Sequence, residues 1–109
     1  MAYNQELAHR VWSLLSHTAG TEEKKMFGGV GYLLRGNMVC GVHGDYLIVR
    51  LSASEGQSAL AQPHVGVFDL TGRPMKGWIT IAPAGLESDV ELKGWVERGL
   101  NFGQSLPAK

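Results

Sequence analysis

Cysteine is almost missing from this sequence: Cys40 stands alone in 109 residues. A single thiol excludes an internal disulfide framework and a cysteine-rich zinc site, and it fits a reduced compartment, so a cytoplasmic location is expected. Net charge is missing as well, with ten basic side chains against ten acidic ones and a pI near 6.9. Non-specific nucleic-acid binding draws most of its affinity from a basic surface, and the chain as a whole does not supply one. Long apolar runs are absent too. None approaches the ~20 residues that cross a bilayer, and Met1-Ala2-Tyr3-Asn4-Gln5-Glu6 has neither the basic nor the apolar region of a signal peptide. No membrane partner is expected. There is no internal repeat and no low-complexity tract, and residues 1–109 suffice for one domain with one core.

What the chain has in excess is glycine, 15 residues, about double the usual ~7%. They are spread singly beside strand-like runs, which marks turns and bulges rather than a linker. Residues 4–19 carry Leu7, Val11, Leu14 and Leu15 at helical spacing, with Gly20 as the expected stop. Glu22, Glu23, Lys24 and Lys25 read as a charged connection. From Val30 the period changes to two: Val30, Tyr32 and Leu34 share a strand face, Arg35-Gly36-Asn37 turns the chain, and Met38, Cys40 and Val42 share a face of the next strand. Gly44-Asp45 is a second tight turn, and residues 46–51 give the clearest strand signal. Ser52-Ala53-Ser54-Glu55 and Ser88-Asp89-Val90-Glu91 have the spacing of capping boxes, opening helices over about 54–61 and from Ser88 to about 103. Between them lie short strands at 65–68 and 78–81. Gly94 and Gly99, inside the last helix, suggest close packing on the sheet. The expected architecture is α+β in two layers, a mostly antiparallel five-stranded sheet with helices on one side, in the order α-β-β-β-α-β-β-α.

Three motifs carry a family resemblance. Lys25-Met26-Phe27-Gly28-Gly29-Val30-Gly31 is a basic residue followed by Met-Phe-Gly-Gly. Gly72-Arg73-Pro74-Met75-Lys76-Gly77-Trp78 precedes a strand. Leu92, Trp95-Val96, Leu100 and Phe102 line the closing helix. In that order the chain resembles the N-terminal domain of the TfoX/Sxy family of bacterial competence regulators. The resemblance implies a two-layer α+β fold and a regulatory or binding role, and it brings no catalytic residues. The family's regulators carry a further helical domain, whereas this sequence ends at Lys109 and matches the N-terminal domain standing alone. The motif often has Arg where this chain has Lys25, and a lysine lacks the bidentate guanidinium fork.

The glycine run Gly28, Gly29 and Gly31 superficially matches a phosphate loop. Phosphate cradling needs a helix N-terminus after the glycines, and here a strand follows. The run therefore reads as structural, permitting a bulge or the close approach of a helix to the first strand. Met26, Phe27, Met75 and Trp78 read first as packing, and Gly72, Pro74 and Gly77 as loop-forming residues. Lys24, Lys25, Arg73 and Lys76, with Trp78, form the candidate binding set: if their loops converge they make an anion-binding patch, and otherwise they are solvated, or Arg73 pairs with Asp69. Cys40 and His43 lie three apart in a strand, hence on opposite faces, which excludes a Cys–His nucleophilic pair within it. His43 with Asp45 lacks the spacing of a metal site. The expectation is a non-enzymatic domain with no metal or cofactor, acting on an unknown protein partner. A homodimer through an unpaired sheet edge, a nucleic-acid accessory role and an anion- or nucleotide-binding role are the alternatives.

Overall fold

The computed structural model describes residues 3–26, 28–68 and 76–107. The chain opens with helix α1 (Gln5–Leu15), whose first turn is capped by the Asn4 side chain accepting from the Leu7 N–H at 3.0 Å. Leu7, Val11 and Leu15 are buried, and Leu14 packs at the margin. The helix stops at Leu15, short of the expected 19. There the Thr21 hydroxyl offers itself to the Leu15 carbonyl at 3.0 Å and the Thr18 carbonyl at 2.8 Å, satisfying groups that a longer helix would have bonded internally. Gly20, at φ +87°, then turns the chain into a strand.

That strand, β1 (Thr21–Met26), corrects the expected connection at Glu22–Lys25. Its residues have little β preference, but β2 (Gly29–Leu34) offers a full antiparallel partner, from Thr21↔Leu34 to Met26↔Gly29. Charged residues are favoured on an edge strand because they discourage stray pairing, so a charged run here is compatible with a strand. β3 (Asn37–His43), β4 (Tyr46–Arg50), helix α2 (Ala53–Ala59), β5 (Val65–Val67), β6 (Trp78–Ile81), a 3₁₀ turn (Pro83–Gly85) and helix α3 (Asp89–Gln104) complete the order. Among the described residues the sheet therefore has six strands rather than five, antiparallel between neighbours, in the spatial order β1-β2-β3-β4-β6-β5. The element order gains one strand, α-β-β-β-β-α-β-β-α.

The turns follow their chemistry. Arg35 and Gly36 both take positive φ, +51° and +88°, which suits the tight β2–β3 hairpin. Gly44 takes φ +59° between β3 and β4. At both predicted capping boxes the serine cap forms, Ser52 Oγ accepting from the Glu55 N–H at 3.2 Å and Ser88 Oγ from the Glu91 N–H at 3.1 Å, while each glutamate carboxylate meets the serine hydroxyl.

Val30, Tyr32, Cys40, Val42, Leu47, Val49, Ile79 and Ile81 are register partners on one sheet face, and all join a single core cluster with buried residues of α1, α2 and α3. A bulge in β3 corrects one predicted face. The register passes from Tyr32↔Cys40 to Leu33↔Met38, so Val39 has no partner and turns into the core beside Cys40, both fully buried. Met38 leaves the core face, and its Cε lies where a Cβ on Gly41 would come within 2.7 Å. The bulge also seats α3. A Cβ at Gly99 would stand 2.6 Å from the Val39 carbonyl oxygen, and one at Gly103 would collide with Val39 Cγ1. Each glycine costs the helix on the order of 1 kcal/mol against alanine. The close approach lets Leu92, Trp95 and Val96 enter the core, each worth roughly 1.5–3 kcal/mol, so packing wins. At Gly94 nothing lies within 4 Å of an added Cβ, and that glycine serves no close approach.

The opening glycines do something other than expected. Gly28 has φ +73° between β1 and β2, and a Cβ on Gly29 would collide with the Val42 carbonyl oxygen of the neighbouring β3. Gly31 pairs with Gly41 across β2 and β3. Strands, not a helix, come close here, and the bulge lies farther along, opposite Tyr32 and Leu33.

Candidate functional site

Arg50 ends β4 and lies in register opposite Trp78, the first residue of β6. Its guanidinium carbon stands 5.3 Å from the centroid of the Trp78 ring and 5.6 Å from that of Phe102 on α3. The Phe68 ring meets Trp78 at 6.0 Å with a 40° tilt, and the Phe68 N–H donates to the Trp78 carbonyl at 3.4 Å. All four side chains are half-buried. The corner is thus a cation held between two aromatic faces with a third ring at its side, drawn from β4, β6, α3 and the end of β5.

Gly77 positions this corner. At φ +84° it adopts a conformation disfavoured for other residues, its carbonyl accepts from the Leu51 N–H at 2.7 Å, and a Cβ there would collide with the Leu51 carbonyl oxygen. α2 closes on the same turn, since a Cβ at Gly56 would come within 2.7 Å of the Gly77 Cα. Between α2 and the β5–β6 pair lies a groove of about 370 Å³, lined among others by Gly56, Leu60, Val67, Lys76, Trp78 and Ile79. Lys76 is exposed at its rim, and Val67 is 47% exposed, one of the few large apolar side chains left in solvent among the described residues. An apolar trough beside a cation and several rings can take up an apolar or aromatic side chain together with a nearby carboxylate.

Of the predicted set, Lys76, Gly77 and Trp78 come together at this corner. Lys24 and Lys25 do not join them. They sit exposed on β1, with β2, β3 and β4 between them and β6, about 19 Å of sheet at ~4.8 Å per strand. As neighbours on one strand they also point to opposite faces. Phe27, Asp69, Gly72, Arg73, Pro74 and Met75 lie outside the described residues, and with them the possible Arg73–Asp69 pair. Met26 ends β1, and Gly28, Gly29 and Gly31 belong to the first hairpin. Arg50, Phe68, Phe102 and Val67 escaped the sequence reading as site residues. The signal that could have found Arg50 is a lone cation closing an otherwise apolar strand.

Among the described residues two groups titrate away from their ordinary range, and neither lines the groove. Burial pushes the Cys40 thiol up to about 12. The Tyr32 hydroxyl is raised first by burial and then by the Glu23 carboxylate, while it donates to the Ala8 carbonyl at 2.9 Å. Among the described residues there is no group of three or more His, Cys, Asp or Glu side chains able to hold a metal ion, and no helix is long and apolar enough to cross a membrane.

No curated protein and no solved structure matches this sequence. A family model does: that of the TfoX N-terminal domain matches residues 13–103. This span includes all six strands, the Arg50–Trp78 corner and nearly all of α3, so the chain belongs to the TfoX N-terminal domain family.

Proposed function

We propose that this TfoX-like regulatory domain is a non-enzymatic, cytoplasmic protein-binding module whose contact surface is the Arg50–Phe68–Trp78–Phe102 corner and the adjoining groove. The observation that carries this reading is compositional and geometric at once. Tryptophan and arginine dominate the energetics of protein contacts, in half-buried positions that a partner finishes covering; here they stand stacked at the mouth of an apolar groove. The corner is also pre-ordered, because Arg50 is held between two rings, so little side-chain freedom remains to be lost on binding. The separation of Lys24 and Lys25 from Lys76 favours this surface over a single basic patch for nucleic acid or an anion.

The test is recovery of a partner on the immobilised chain. Val67→Asp and Lys76→Glu alter the groove rim at exposed positions, so thermal unfolding should shift little while partner recovery falls at least about tenfold, as for loss of one strong contact. Undiminished recovery by folded double variant would refute this surface.

A further inference from the structure

The sheet ends in two edges, β1 and β5, and they are built differently. β5 is three residues long, whereas β1 runs for six with Glu22, Glu23, Lys24 and Lys25 all exposed. A long edge presents N–H and C=O groups on which another strand can form. The register decides which residues present them. The Arg35 N–H donates to the Gly20 carbonyl at 2.9 Å, a pair that continues the Thr21↔Leu34 register. Bonded and non-bonded pairs alternate along an antiparallel ladder. Glu22 and Lys24 therefore bond inward to β2, while Thr21, Glu23 and Lys25 turn their backbone groups outward. The Thr21 N–H is taken by the Thr18 carbonyl at 3.4 Å, leaving Glu23 and Lys25 as the outward-facing donors.

We propose that β1 is a self-association edge: it pairs antiparallel with β1 of a second copy of this chain, about a two-fold axis at Glu23, joining two sheets into one. The occupant follows from the charge order. Glu22 and Lys24 stand two apart on one face of β1, so a reversed second copy can set Glu22 against Lys24 and Lys24 against Glu22, and a two-fold contact needs a surface that complements itself. Only registers that set outward residues opposite one another make a ladder, and two of them centre the charged segment. With the axis at Glu23, Glu22 faces Lys24 of the second copy and Lys24 faces its Glu22, both in non-bonded pairs with Cα atoms ~4.5 Å apart. The one like-charged pair, Glu23 with its own copy, takes the wider bonded spacing of ~5.5 Å, and the Glu23 carboxylate already has the Tyr32 hydroxyl as a neighbour. With the axis at Lys24 the spacings reverse, so the like-charged lysines come closest. Coulomb energy selects the axis at Glu23.

The experiment is sedimentation velocity of the full chain at low ionic strength over a concentration series. The parent chain should associate to a dimer. Glu22→Lys and Lys24→Glu should each weaken it about tenfold or more, because each turns two attractive cross-strand pairs repulsive. The double variant Glu22→Lys/Lys24→Glu should recover the parent dimer. Lys25→Glu, which faces only Thr21 of the second copy, should have a smaller effect than either single reversal. Circular dichroism and melting should stay near those of the parent monomer, since all these side chains are exposed. A parent chain that stays monomeric at its highest soluble concentration overturns the proposal. So does a dimer indifferent to the single reversals, one that the double variant fails to restore, or one that Lys25→Glu damages most.

Discussion

Gly94 and Gly99 occupy one helix, yet a methyl group added at each meets different surroundings. Gly94 is exposed with nothing within 4 Å of the added atom. Alanine there keeps the helical advantage whole, and Gly94→Ala should stabilise the protein by about 0.5–1 kcal/mol in urea unfolding. Gly99→Ala receives the same advantage and loses more, since its Cβ would lie 2.6 Å from the Val39 carbonyl oxygen. Backbone cannot yield as a flexible side chain can, so α3 must lift from the sheet, at a net cost of about 1–3 kcal/mol. Equal effects of the two substitutions would remove the distinction drawn between them. Sequence alone could not separate these glycines: both interrupt a helical pattern, and only the partner across the interface tells one from the other.

The starts of α2 and α3 were the most legible features, because a cap is a local event. Ser52 and Ser88 each sit three residues before a glutamate, and each hydroxyl accepts that glutamate's N–H as an N-cap. Ser88 Oγ also reaches the Glu91 carboxylate at 3.1 Å. Ser88→Ala should cost about 1 kcal/mol, read as a lowered urea midpoint with unchanged m-value; no change would mean that water substitutes for the cap. Strand existence was legible where apolar alternation marks a buried face, as at Val30, Tyr32 and Leu34, and where β-favouring residues run together, as in 46–51. β1 was not, because its pairing is supplied by β2 and its own residues are polar. The β3 bulge was invisible for a related reason: Met38-Val39-Cys40 is apolar throughout, so its pattern does not reveal which residue is skipped. The site was legible only in part. Trp78 and Lys76 stood in a recognisable motif, whereas Arg50 and Phe102 reach the corner from elements whose meeting depends on the whole topology.

At the scale of the molecule, the buried titratable groups set how stability responds to pH. The Cys40 thiol, ordinarily near 9.0, is pushed up to about 12 by burial, and the Tyr32 hydroxyl is raised as well. The folded chain holds both protons longer than the unfolded chain does. Their contribution is therefore complete below the thiol's ordinary value near 9.0 and is lost as pH rises beyond it, by up to about 1.4 kcal/mol per pH unit for each group that ionises only when unfolded. The urea midpoint should be level from pH 7 to 8 and fall above 9, and Cys40→Ala should flatten the fall between 9 and 10. A profile that the substitution leaves unaltered would show that other groups govern it. A different consequence attaches to Val39. The unpaired residue in β3 and the two glycines that receive it on α3, Gly99 and Gly103, are complementary halves of one joint. The two halves are coupled: a side chain at either helix position needs a change in the strand to make room for it. A chimera that joins this strand to a helix from a sequence without the bulge, or the reverse, is expected to fail at the joint.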